Sequence, residues 1–151
     1  MKPILALILF LFLSGCGEST NSLDGNKFTG PEYSIAYPEG WEIKKNVMGC
    51  HSVGLTPMGS QNDNFRENVN VVLENLPDNM SKTSYLETTL KNMKKLLTDF
   101  NLVSSEKSDL NDYEIQEIVY KTRMGEFNLQ NKVTILVVKK SAYVITSSML
   151  E

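Results

Sequence analysis

One stretch of this 151-residue chain repeats with the period of a helix, and that fact constrains the fold more than any other. Within residues 81–100, Leu86, Leu90, Met93 and Leu97 recur at spacings of four, three and four, one apolar stripe on an α-helix. Ser84 and Glu87 are spaced as a capping box, with Ser81 and Thr83 as rival caps. Lys91, Lys94 and Lys95 fall on the outer face, towards the end where the helix dipole favours positive charge.

Around this helix the pattern alternates, as half-buried strands do. Tyr33, Ile35 and Tyr37 alternate with small residues, Pro38-Glu39-Gly40 is turn chemistry, and Trp41-Glu42-Ile43-Lys44 alternates again. The two segments predict a hairpin. Val53 and Leu55 mark a short strand, residues 58–67 a polar loop, and residues 69–75 a strand stopped by Leu76-Pro77-Asp78. After the helix come strands at 102–107, 113–122, 132–139 and 142–149, with a turn at Met124-Gly125-Glu126-Phe127. The run 132–139 is nearly continuous in apolar residues and predicts a central strand covered on both faces. Short turns between successive strands favour antiparallel pairing. The fold class is therefore α+β, an antiparallel sheet with a helix on its face.

The N-terminus carries an address. Lys2 precedes ten apolar residues at 4–13, the length of a secretory signal and well short of the ~20 residues of a membrane-spanning helix. Leu13-Ser14-Gly15-Cys16 follows, and resembles the lipobox of bacterial lipoproteins. That resemblance implies a diacylglycerol thioether on Cys16 and cleavage just before it. Two or more acyl chains anchor a protein stably, where one holds only marginally. The polar residues after Cys16 read as a flexible tether. The expected organisation is a signal peptide over 1–15, a tether over 16–26 and one domain over 27–151. The expected location is the bacterial cell membrane or outer membrane, on the extracytoplasmic side. Gly17 stands where an aspartate would suggest inner-membrane retention in some bacteria, a weak pointer between the two.

The net charge of −3 and the lack of a basic run exclude a nucleic-acid footprint. With Cys16 lipidated, Cys50 has no intramolecular partner, so the core rather than disulfides must hold the fold. Cys50 reads first as a small buried hydrophobe. His51 beside it is the sole histidine, but neighbours on a strand face opposite ways and no further histidine exists to complete a nucleophilic pair. Asp109, Asp112, Glu114 and Glu117 cluster near a turn without the order of a calcium loop, so a solvated hairpin edge is preferred to a metal site. Tyr33, Tyr37 and Trp41 either line a ligand groove or pack the core, and core packing is preferred. No phosphate-cradling glycine loop appears. The residues assign no catalytic group, cofactor or metal, and the expectation is a protein that is not an enzyme.

With these elements placed, Tyr33-Ser34-Ile35-Ala36-Tyr37-Pro38-Glu39-Gly40-Trp41 resembles the opening of the PsbP-like family, including bacterial DcrB-type lipoproteins. The later order of loop, strand, helix and strand pairs is similar across residues 27–151. The resemblance implies an α/β/α sandwich around an antiparallel sheet. It also implies a binding or assembly role, as for a photosystem subunit and a nuclear-transport factor of that fold. Such members follow the last strand with a helix covering the sheet, and here the chain reads only to Glu151. An uncovered face would be an apolar patch, a partner site or an aggregation liability. The expected function is a non-enzymatic, lipid-anchored adaptor or assembly factor with an envelope protein partner. The alternative is a small-ligand or metal-binding module using the groove beside Trp41 or the acidic turn.

Overall fold

The computed structural model describes residues 22–60 and 64–151. The expected signal peptide and the expected lipid on Cys16 lie outside these residues. Among the described residues ten strands and one helix follow in chain order: β1 Ser22–Asp24, β2 Lys27–Thr29, β3 Ser34–Ala36, β4 Glu42–Val47, β5 Cys50–Leu55, β6 Asn68–Asn75, α1 Lys82–Leu96, β7 Asn101–Leu110, β8 Tyr113–Met124, β9 Phe127–Val138 and β10 Ser141–Leu150. They form two antiparallel sheets. Seven strands run in the order β4-β5-β6-β10-β9-β8-β7, and β1-β2-β3 form a small second sheet. The α+β class and antiparallel sheet are as the sequence predicts.

Helix α1 begins at Ser81, whose hydroxyl accepts the Ser84 amide at 3.1 Å, so Ser81 is the cap among the three candidates. The helix ends at Leu96, four residues before the predicted limit. Leu97 is extended and its amide still bonds to the Met93 carbonyl, while Asp99 turns the chain in the left-handed region (φ 53°). One face of α1 joins the core of the large sheet, where Tyr85 and Met93 pack with Leu76, Ile118, Tyr120, Val133, Ile135 and Ala142. Leu86, Leu90 and Leu97 of the predicted stripe pack against this cluster.

The predicted hairpin between the Tyr33–Tyr37 segment and the Trp41 segment does not form. Glu39 and Gly40 do turn the chain, and Trp41 bonds back to the Pro38 carbonyl. But β3 pairs with β2 in the small sheet, whereas β4 pairs with β5 in the large one. The true hairpin is β4–β5, closed by Met48 and Gly49 at positive φ. Alternation reports that a segment is half-buried and is silent on its partner.

The face of the large sheet opposite α1 receives the small sheet rather than a helix. The Tyr37 hydroxyl hydrogen-bonds Ser52 at 2.7 Å, Tyr33 stacks edge-on to Tyr143 at 5.9 Å, and the Tyr143 hydroxyl donates to Glu32 at 2.9 Å. Phe28, fully buried, packs on Tyr33. Asn26 fastens Tyr37 from the β1–β2 turn, its side chain donating to the Tyr37 carbonyl and its own carbonyl accepting the Tyr37 amide. The chain is already a strand at Ser22, inside the 16–26 stretch expected to be a tether.

Strand β9 is likewise not covered equally on both faces. Leu129, Asn131, Val133 and Ile135 are buried, Lys132 is exposed, and the residues alternating with the buried set include Thr134 and Leu136. On that second face Glu117 and Lys132 pair at 2.5 Å beside Thr134, with Ser147 opposite Lys132. These polar groups interrupt the continuous apolar patch expected there. Near the end of the polar stretch predicted at 58–67, Arg66 donates to the Thr56 carbonyl at 2.6 Å and pairs with Glu42 at 2.5 Å.

Candidate functional site

Three residue sets stand out in the sequence, and the structure accounts for each by packing or by ion pairing. Cys50 opens β5 and is half-buried, and burial pushes its thiol above the usual range. Burial also pushes the His51 imidazole down. At neutral pH both groups are uncharged, the reverse of the thiolate and imidazolium that a nucleophilic pair needs. The His51 ring instead stacks on Tyr33, 6.1 Å between centroids, and its Nδ1 is buried with no hydrogen-bond partner among the described residues.

This burial has a pH signature. A base neutral in the native state and free in the unfolded chain leaves the unfolded state binding more protons once pH falls below its ordinary value of about 6.5. The His51 contribution is therefore complete above that pH and is lost as pH falls towards the depressed native value. Urea midpoints measured from pH 7.5 to 5 should decline more steeply for the parent than for His51→Gln. Equal slopes would show that His51 titrates as if exposed.

The acidic turn is spoken for by lysines. Glu114 pairs with Lys82 at 2.7 Å and Lys107 at 3.5 Å, which hold its carboxyl below the usual range, and Glu117 pairs with Lys132. Asn111 and Asp112 make the β7–β8 turn at positive φ, with Asp109 and Asp112 exposed. Among the described residues no three His, Cys, Asp or Glu side chains converge as metal ligands. Tyr37 is buried against Gly54 and stacks on Trp41 at 6.5 Å, so this aromatic pair is packing. Beside Trp41 lies only an open depression formed with Gly25, Asn26, Glu39 and Gly40.

The larger cavity lies on the other face of the sheet, beside α1, with a volume of about 600 Å³. That is within the ~300–1,000 Å³ of small-molecule sites. Thr89, Asn92 and Leu96 form its helical wall, and Val72, Val144 and Val133 contribute from the sheet. The β4–β5 turn reaches it through Met48 and Cys50. Two of these side chains are unusually exposed for apolar residues, Met48 at 62 % and Leu96 at 47 %. The groove exists because a single helix of 10–12 Å diameter cannot cover seven strands spaced about 4.8 Å apart.

Beside amide and hydroxyl side chains such as Asn92 and Thr89, the lining holds one part-buried hydrogen-bonded pair. Tyr85, in the first turns of α1, donates its hydroxyl to Glu74 of β6 at 2.6 Å. Burial and the adjacent carboxylate both raise the Tyr85 phenol, which therefore stays protonated. Neither residue stands out in the sequence. The available signal is parity: Glu74 shares a strand face with Val72 and Asn70, and pairs with Ala142 of the core. Tyr85 lies four residues before Thr89 and eight before Met93, on a second helical stripe beside the leucine one.

Sheet order, the helix after β6 and the closing meander β7–β10 define a PsbP-like α+β fold. Among solved structures, the chain is similar to the cyanobacterial PsbP of Synechocystis sp. PCC 6803 (TM-score 0.57, 15 % identity, 92 % of this chain and 87 % of that one). It is similar to LpqN of Mycobacterium tuberculosis, described as involved in cell envelope biogenesis (0.57, 10 %, 89 % and 75 %). A third is a Pseudomonas aeruginosa protein of unknown function described as a putative regulator (0.57, 11 %, 89 % and 84 %). No protein-family model matches the chain, and no curated protein matches it. At these identities the likeness is one of fold.

Proposed function

We propose that this chain is a non-enzymatic binding protein of the bacterial cell envelope, held to a membrane by lipid on Cys16 and taking its ligand in the groove beside α1. The groove carries the reading: a cavity of ligand size, apolar on most of its walls, with one hydrogen-bonded polar pair inside it. The neutral states of Cys50 and His51 favour binding over covalent chemistry. The lipobox-like Leu13-Ser14-Gly15-Cys16 supports the anchor, and the envelope role described for LpqN, a protein of the same fold, agrees with the location.

Two measurements test this reading. Metabolic labelling with a palmitate analogue should mark the parent chain and not Cys16→Ser, and globomycin should leave an uncleaved precursor. Normal processing of Cys16→Ser would refute the anchor. The apolar dye N-phenyl-1-naphthylamine should gain fluorescence with purified protein, and Asn92→Trp, which fills the groove from α1, should abolish the gain. Dye binding equal in both would remove the groove as the site.

A second reading is an adaptor for an envelope protein partner, favoured by the exposed Met48 and Leu96 at the groove. Crosslinking in intact cells from position 48 or 96 to one defined protein, lost with Met48→Asp, is its expected outcome.

A further inference from the structure

Among the described residues, Glu74 is the only acidic or basic side chain that lines the groove. The other lining side chains are aliphatic, methionine, amide, hydroxyl, thiol or phenol. Its hydrogen-bond partner, the Tyr85 hydroxyl, is neutral and has spent its proton on one carboxylate oxygen. No Lys, Arg or His among the described residues pairs with it, whereas Glu42, Asp99, Glu114, Glu117 and Glu151 each have a lysine or arginine partner. A carboxylate accepts and cannot donate, so what completes it must bring hydrogens and positive charge. A half-buried charge without its opposite is costly, and a cation placed there recovers that cost on binding.

We infer that the groove takes an amphiphilic cation, an organic ammonium whose apolar body lies along Val72, Val144 and Met93 while its charged head meets Glu74. This rests on the groove being the binding site. The volume suits a small molecule with a short aliphatic or ring body. Charge decides against the commonest apolar ligands of envelopes. A fatty-acid carboxylate or a phosphate head would be set against Glu74 with no cation among the described lining residues to offset it.

The test is displacement of N-phenyl-1-naphthylamine at pH 7 by three ligands with the same twelve-carbon chain and different heads: dodecylamine, dodecyl maltoside and dodecanoate, each below its micelle concentration. Dodecylamine is expected to displace the dye at an at least about tenfold lower concentration than dodecanoate, the equivalent of one partly desolvated ion pair. Glu74→Gln keeps an oxygen for the Tyr85 hydroxyl and should erase that preference while leaving the thermal midpoint in place. Glu87→Gln, on the exposed side of α1, should leave the preference intact, which separates the groove from general attraction to an acidic protein. Equal displacement by dodecanoate, or a preference that survives Glu74→Gln or vanishes with Glu87→Gln, would overturn the inference. So would displacement by lysine amide as efficient as by dodecylamine, which would make the occupant a partner protein's side chain. Failure of the dye itself to bind would sink the groove reading instead, so the two failures are told apart.

Discussion

Gly54→Ala is expected to destabilise the protein by about 4 kcal/mol, a large effect for one added methyl group. A Cβ built on Gly54 lies 2.2 Å from Cδ1 and 2.5 Å from Cε1 of Tyr37, well inside contact distance. The ring cannot give way cheaply. Tyr37 is buried, its hydroxyl is bonded to the fully buried Ser52, and its backbone is fastened on both sides by Asn26. Overpacking a filled core costs ~1–3 kcal/mol. Moving the ring also strands the Ser52 hydroxyl, a further ~1–3 kcal/mol for a buried group without its partner. Chemical unfolding followed by the fluorescence of Trp41, the sole tryptophan and a neighbour of Tyr37, reads this directly. Tyr37→Val should partly rescue Gly54→Ala, giving a double mutant less damaged than the sum of the singles. A Gly54→Ala protein within about 1 kcal/mol of the parent would show that the small sheet does not sit on β5 as described.

The second large effect is on the other side of the sheet. Ile135→Ala should cost about 2–5 kcal/mol, the range for deleting a fully buried aliphatic side chain. Ile135 is inaccessible to solvent on β9, opposite Val144 of β10 and Gln116 of β8, in the cluster that receives Tyr85 and Met93 of α1. Ile135→Val, which removes one methylene, should cost about 1 kcal/mol. Lys132→Ala, three residues earlier, removes an exposed ion pair with Glu117 and should cost less than about 1 kcal/mol. This order, read from urea midpoints at constant m-value, checks which residues of β9 face the helix. A Lys132→Ala change as severe as Ile135→Ala would contradict the register.

The helix was legible because its signal is local. A stripe at 86, 90, 93 and 97 needs no knowledge of the rest of the chain, whereas the choice of Ser81 over Ser84 and Thr83 as cap came from the structure. Strand identities at β5 to β10 were legible for the same reason. Pairing was not. Tyr33 and Trp41 are eight residues apart across good turn chemistry, yet the strands beside them, β3 and β4, enter different sheets, and Tyr37 between them lies on Gly54 and Ser52 of β5. The acidic turn and the Cys50-His51 pair were legible as weak candidates. What demoted them were burial and lysines brought in by other elements, Lys82 from α1 and Lys132 from β9.

The sequence by itself determined that this chain is α+β, with one amphipathic helix among antiparallel strands, since periodicity is fixed by backbone geometry within each segment. It also pointed, through Leu13-Ser14-Gly15-Cys16, to an envelope address. Only the tertiary structure decided that the small sheet covers the second face and that a groove opens beside α1. Only the tertiary structure brought Glu74 and Tyr85 together within it. Those outcomes depend on how wide seven strands are beside one helix, and on pairings between residues far apart in the chain, which no local pattern encodes.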